Sequence, residues 1–104
     1  MVRSLACVLA AACSAALAAE PLPARRAELI SLVRQDCGSC HGMTMKGGLG
    51  PSLEPEALAG KDPETLRFVI LQGRHGTPMP PWRDYLTEGE ARWIVEQLKD
   101  GLPK

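Results

Sequence analysis

Aromatic side chains are scarce in this chain of 104 residues, which holds one Phe, one Tyr and two Trp: Phe68, Tyr85, Trp82 and Trp93. So few rings leave the core short of its bulkiest material. A net charge is also missing. Twelve Lys and Arg balance twelve Asp and Glu, and the signs are interspersed, so no basic field points to nucleic acid. No alternating run marks a convincing strand. The length excludes a multidomain enzyme or a polytopic membrane protein. No carboxylate pair or Ser/His/Asp set stands out as a catalytic constellation, and the expectation is a protein that is not an enzyme.

Apolar residues make up 45% of the chain, unevenly distributed. Between Met1 and Ala18 every residue except Arg3, Ser4 and Ser14 is apolar, and the body from Ala19 onward is distinctly poorer. A domain of that size buries a modest share of its surface and often depends on a disulfide, a metal or a cofactor. The composition therefore asks what fills the core.

The stretch from Met1 to Ala18 has the pattern of an export signal. Met1-Val2-Arg3 is a short positive segment, Leu5 to Leu17 an apolar run too short for a membrane span, and Ala16-Leu17-Ala18 a small-x-small cleavage site. Residues 1–18 are thus expected to be a secretory signal peptide and residues 19–104 a single domain in the periplasm, with no membrane span after cleavage. A retained anchor helix and lipidation at Cys13 are the alternatives. Cleavage discards Cys7 and Cys13 and leaves Cys37 and Cys40.

Those two cysteines stand in Cys37-Gly38-Ser39-Cys40-His41, a C-x-x-C-H motif, the attachment signature of c-type haem. Thiols three positions apart on a helical turn face the same side, where they can form thioethers to the two vinyl groups of one haem. The next residue, His41, then supplies a nitrogen to the iron. A thioredoxin-type redox pair should follow a strand, whereas Arg25 to Asp36 reads as an amphipathic helix with Leu29, Ile30, Leu32 and Val33 apolar. A zinc site from Cys37, Cys40, His41 and His75 lacks the usual spacing. A plain disulfide would leave His41 without a role. The export signal makes the motif far more specific than it would be in a cytosolic chain.

A second iron ligand must come from Met43, Met45, Met79 or His75, or the site stays open. Met43 and Met45 come too soon after His41 to reach the other face of the ring easily. Met79 lies in Gly76-Thr77-Pro78-Met79-Pro80-Pro81-Trp82, where three prolines fix φ and stiffen the loop around one thioether. Met79 as a core gap-filler and His75 as the ligand of a bis-His iron are the competing assignments. His/Met ligation raises the reduction potential and suits electron transfer. A ligating His usually donates its other ring N–H to an acceptor, and a carbonyl in Gly48-Leu49-Gly50-Pro51-Ser52-Leu53 is a plausible one. Trp82, beside the Met loop, is a candidate for the haem pocket; Trp93 should pack on the first helix or the haem edge.

The expected map has a helix from Ala24 to Asp36, a Gly-rich loop from Gly42 to Pro51 and one turn near Glu54 to Ala59. A middle helix starts at Asp62-Pro63-Glu64, carries Leu66, Phe68, Val69 and Ile70, and stops at Gly73. A last helix opens on the capping box Thr87-Glu88-Gly89-Glu90 and ends at Gly101.

Taken together, the entry helix, the C-x-x-C-H motif, Gly50-Pro51-Ser52-Leu53, Met79 and the final helix resemble class I c-type cytochromes, over essentially the whole of residues 19–104. The resemblance implies an all-α fold, three or four helices wrapped around one covalently bound haem c. It implies attachment at Cys37 and Cys40, axial ligands His41 and Met79, and Pro51 as the residue whose carbonyl accepts from His41. The short interval from His41 to Met79 is that of short bacterial members. More narrowly, Gly73-Arg74-His75-Gly76-Thr77-Pro78-Met79-Pro80-Pro81-Trp82 is similar to the small periplasmic cytochromes of the haem-c, haem-d dissimilatory nitrite reductase system (NirC type). That implies a monomeric one-electron carrier whose partners are redox proteins, nitrite reductase among them, in denitrification. An accessory role in maturing the d-type haem is the alternative. A ligand-binding haem sensor or peroxidase with a labile Met79 is the alternative of another class.

Overall fold

The computed structural model describes residues 20–103. The expected signal segment lies outside the described residues. Every regular element among the described residues is helical: α1 Pro23–Leu32, a π-helical turn Val33–Cys37, α2 Gly38–His41, α3 Pro55–Leu58, α4 Pro63–Gln72 and α5 Glu88–Asp100.

Helix α1 begins on Pro23, whose fixed φ suits a first helical position and whose missing N–H would have been unpaired there anyway. Leu29 on α1 and Val33 at the start of the π turn are both fully buried. The sequence predicts an unbroken α-helix to Asp36, but Val33 to Cys37 wind as a π turn. Widening the turn shifts the register of the next helix. The haem motif thus enters on its own short helix, α2, with Cys37 at the junction.

Helix α5 is the spine of the fold. Its capping box closes as the sequence predicts: the Thr87 hydroxyl accepts from the Glu90 N–H at 3.1 Å, and Glu90 Oε1 accepts from the Thr87 N–H at 2.9 Å. Ala91, Trp93, Ile94, Val95 and Leu98 are buried along it. Each large aliphatic among them contributes roughly 1.5–3 kcal/mol by leaving water. The small Ala91, fully buried, belongs to the same cluster as Leu29 of α1 and Val33 of the π turn. The two helices are also pinned by Arg25, whose guanidinium donates to Glu90 Oε2. Trp93 is 8% exposed, with the Arg26 guanidinium of α1 5.9 Å from its ring centre. It packs toward α1, as expected.

Helices α3 and α4 close the other side. Lys99 of α5 donates to the carbonyls of Leu58 (3.1 Å) and Lys61 (2.6 Å), tying the last helix to the end of α3 and the turn that follows it. Asp62 caps α4 through the Thr65 N–H at 2.9 Å. Leu66, Val69 and Ile70 turn inward, and Leu71 is buried. Phe68, one of the apolar residues the sequence puts on this helix, is 61% exposed. At 100° per residue it lies two steps from both Leu66 and Ile70, which puts it on the far side of the helix from them.

Candidate cofactor site

The loop after α2 folds back onto the end of that helix. The N–H of Gly50 donates to the Cys40 carbonyl at 2.7 Å and that of Gly47 to the His41 carbonyl at 2.8 Å. These carbonyls would otherwise be unpaired at a helix C-terminus. The return of the chain brings the Pro51 carbonyl to 2.7 Å from His41 Nδ1. A carbonyl oxygen can only accept, so Nδ1 donates this bond, and Nε2 is the ring nitrogen left for another partner. Gly50 makes this possible, because a Cβ there would stand 2.7 Å from His41 Cε1 and 2.8 Å from Nδ1.

The Met loop is built against the end of α4. Gly73 has φ of +68°, and a Cβ on it would lie 2.7 Å from the Met79 carbonyl oxygen and 2.8 Å from Pro81 N. The chain then comes back beside α4's last turn, with the Trp82 N–H donating to the Ile70 carbonyl at 3.1 Å and that of Arg83 to the Leu71 carbonyl at 3.3 Å.

Between these two loops lies a cavity of about 570 Å³, within the range of small-molecule and cofactor sites, roughly 300–1,000 Å³. Cys37, Cys40, His41, Pro51, Met79 and Trp82 all line it, so the structure brings these six candidates to one place. Leu66, Val69, Ile70, Leu86, Ile94 and Leu98 give it apolar walls. Met43 is 65% exposed, Met45 is buried, and neither lines the cavity. His75 is exposed and lies outside the lining as well. Burial, helped by the neighbouring Asp36 carboxylate, pushes the Cys37 thiol up to about 11.

The donor set fits a covalently attached metal macrocycle: two thiols, an imidazole with one nitrogen already committed, and a thioether, around one apolar hollow. Charged side chains on the lining are few, namely Asp36, Lys61 and Arg74. Sequence reasoning passed over Lys61, Arg74 and Gly50. Their only signal was position, just after a helical turn, just after α4's glycine stop and just before Pro51.

Residues 24–97 match the family model described as Cytochrome C oxidase, cbb3-type, subunit III. The chain belongs to this family of c-type cytochromes. It is 54% identical to cytochrome c55X of Paracoccus denitrificans over 94 residues, which cover 90% of this chain and 91% of that one. It is 51% identical to cytochrome c55X of Stutzerimonas stutzeri over 86% of this chain and 79% of the relative. Among solved structures, the c-type cytochrome NirC superposes with a TM-score of 0.77 at 51% identity, covering 79% of this chain and 96% of NirC. The structure titled dihydro-heme d1 dehydrogenase NirN in complex with DHE superposes with a TM-score of 0.64 at 39% identity. There the match covers 71% of this chain but only 16% of the larger protein. A c-type cytochrome of this size is an electron carrier with covalently bound haem c, and it works by meeting redox partners. No helix among the described residues is long and apolar enough to cross a membrane.

Proposed function

We propose that this cytochrome carries one electron at a time in the periplasm, on a haem attached through Cys37 and Cys40 and ligated by His41 and Met79. The observation that carries this is the convergence of those four side chains on one apolar cavity, with His41 Nδ1 held by the Pro51 carbonyl. Haem c supplies a one-electron iron couple when bound. The chain's own residues do the rest. The Pro51 carbonyl fixes the imidazole's tautomer and aim and raises its basicity. The proline-braced loop presents the Met79 thioether with little freedom left to lose. Leu66, Ile70, Ile94 and Leu98 keep water from the cavity, which favours the less charged state of whatever it holds.

The reading is tested with the Met79→Ala holoprotein. It should lose the long-wavelength absorption of a thioether–iron(III) bond, fall in reduction potential and bind carbon monoxide when reduced. An unchanged spectrum would refute the assignment of Met79. We further propose that the electrons serve the dissimilatory nitrite reductase system, as the likeness to NirC supports. The likeness to the dihydro-heme d1 dehydrogenase favours a second reading, in which the carrier accepts electrons during completion of a d-type haem. Gene deletion separates the two. Loss of a donor leaves a complete but slow nitrite reductase, and loss of a maturation factor leaves one without its finished d-haem.

A further inference from the structure

The segment from Arg74 to Pro81 has very few means of holding its shape. Pro78, Pro80 and Pro81 carry no N–H. The segment is exposed except for Met79, which is half-buried against the cavity. Two of its four internal hydrogen bonds meet at one side chain, and the other two are between backbone groups. The Thr77 hydroxyl donates to the Arg74 carbonyl at 2.8 Å and accepts from the Met79 N–H at 3.4 Å. The Thr77 N–H donates to the same Arg74 carbonyl at 3.2 Å, and the Arg74 N–H donates to the Met79 carbonyl, also at 3.2 Å. The hydroxyl therefore sits between the two ends of a closed ring running from Arg74 to Met79 and back. Gly73 anchors that ring to α4 by its close approach to the Met79 carbonyl.

We infer that Thr77 is a positioning residue, a latch whose hydroxyl holds the Met79 thioether at the iron without touching the iron itself. This rests on Met79 being an iron ligand. The prolines stiffen the backbone on either side of Met79, but they supply no hydrogen bonds that could replace the latch. Removing the hydroxyl breaks both of its bonds, while the backbone bonds of Thr77 and Arg74 remain. Because Thr77 lies on the surface and outside the packed core, the loss should loosen the Met loop and leave the global fold in place.

The test is imidazole titration of the oxidised holoprotein, where added imidazole competes with the thioether for the iron. Thr77→Val should bind imidazole about tenfold more tightly than the parent, the equivalent of losing two exposed hydrogen bonds. Thr77→Ser keeps the hydroxyl and should match the parent. In saturating imidazole, where the thioether has left the iron in every protein and the latch is already open, the urea midpoints of both variants should coincide with the parent's, which a merely structural role would not allow. Met79→Ala is the control that separates the two claims. If it leaves the thioether–iron band intact, the ligand assignment fails. If it abolishes the band while Thr77→Val binds imidazole as the parent does, the latch fails and the ligand stands. Equal tightening in Thr77→Ser and Thr77→Val would also overturn the latch, because Thr77→Ser keeps the hydroxyl and the effect would then follow any change of side chain at this position. Should Thr77→Val not accumulate, Thr77→Ala gives the same comparison with a smaller side chain.

Discussion

Replacing Gly50 by alanine isolates the contact between the return loop and His41. The backbone at Gly50 does not have a positive φ, so alanine costs nothing conformationally there. The new side chain meets the ring: its Cβ would stand 2.7 Å from Cε1, 2.8 Å from Nδ1 and 3.2 Å from Nε2. Ordinary van der Waals contact begins near 3.4 Å, so something must give by about 0.7 Å. The loop resists, because the Gly50 N–H is bound to the Cys40 carbonyl at 2.7 Å and the Gly50 carbonyl accepts from Gly48 at 2.9 Å. The ring therefore moves, and its 2.7 Å bond to the Pro51 carbonyl is stretched or lost. Such a bond contributes about 0.5–1.5 kcal/mol net. It makes the imidazole a stronger donor, which favours the oxidised iron. If the whole loss falls on the oxidised state, the reduction potential rises by about 20–60 mV, taking about 59 mV per tenfold for one electron. A redox titration of purified holoprotein reads this directly. Gly60→Ala serves as the contrast, since Gly60 has φ of +75° and nothing within 4 Å of a Cβ. That variant should lose about 1 kcal/mol of stability through backbone strain and leave the potential unchanged. A Gly50→Ala protein with the parent's potential and stability would refute the steric account.

Two further outcomes come from the helix contacts. Glu90, with a side chain 14% exposed, has its carboxyl held below the usual carboxylate range, first by Arg25 and then by the Thr87 N–H. A folded pKa below the unfolded one gives stability that is present above about pH 4.3 and drains away as pH falls through the folded value. Glu90→Gln should therefore cost about 1–2 kcal/mol at pH 7, with its urea midpoint drawing closer to the parent's as pH falls below the ordinary carboxylate range; a gap that stays constant as the carboxylate is protonated would contradict the assignment. Leu29, fully buried between α1 and α5, should cost about 2–5 kcal/mol when changed to alanine, measured as a lower urea midpoint with an unchanged thioether–iron band.

Much of this was legible before any coordinates. Punctuation by Pro and Gly marks helix ends whatever the tertiary setting, so Asp62-Pro63, Gly73, Thr87 to Glu90 and Gly101 fell where local chemistry put them. The exposure of Phe68 was not legible, because an apolar residue on a short helix can be assigned to a face only when the direction of the core is known. The π turn was invisible, since Val33 to Cys37 contains no proline or glycine to betray it.

The sequence by itself determined the cofactor chemistry. C-x-x-C-H places two thiols and an imidazole within one short motif, and that spacing has meaning on any helical turn. The thin apolar content after Ala18, with four aromatics, likewise pointed to a core completed by something other than protein. Only the tertiary structure decided which distant groups share the cavity. Met79 lies there, far along the chain from His41, while His75, nearer in sequence, stays outside. The physical reason is that a motif fixes geometry over one turn of chain. Contacts across the fold depend on how α4 and α5 bury their apolar faces, and on where Gly73 and Gly50 let backbone pass close enough to hold a side chain in place.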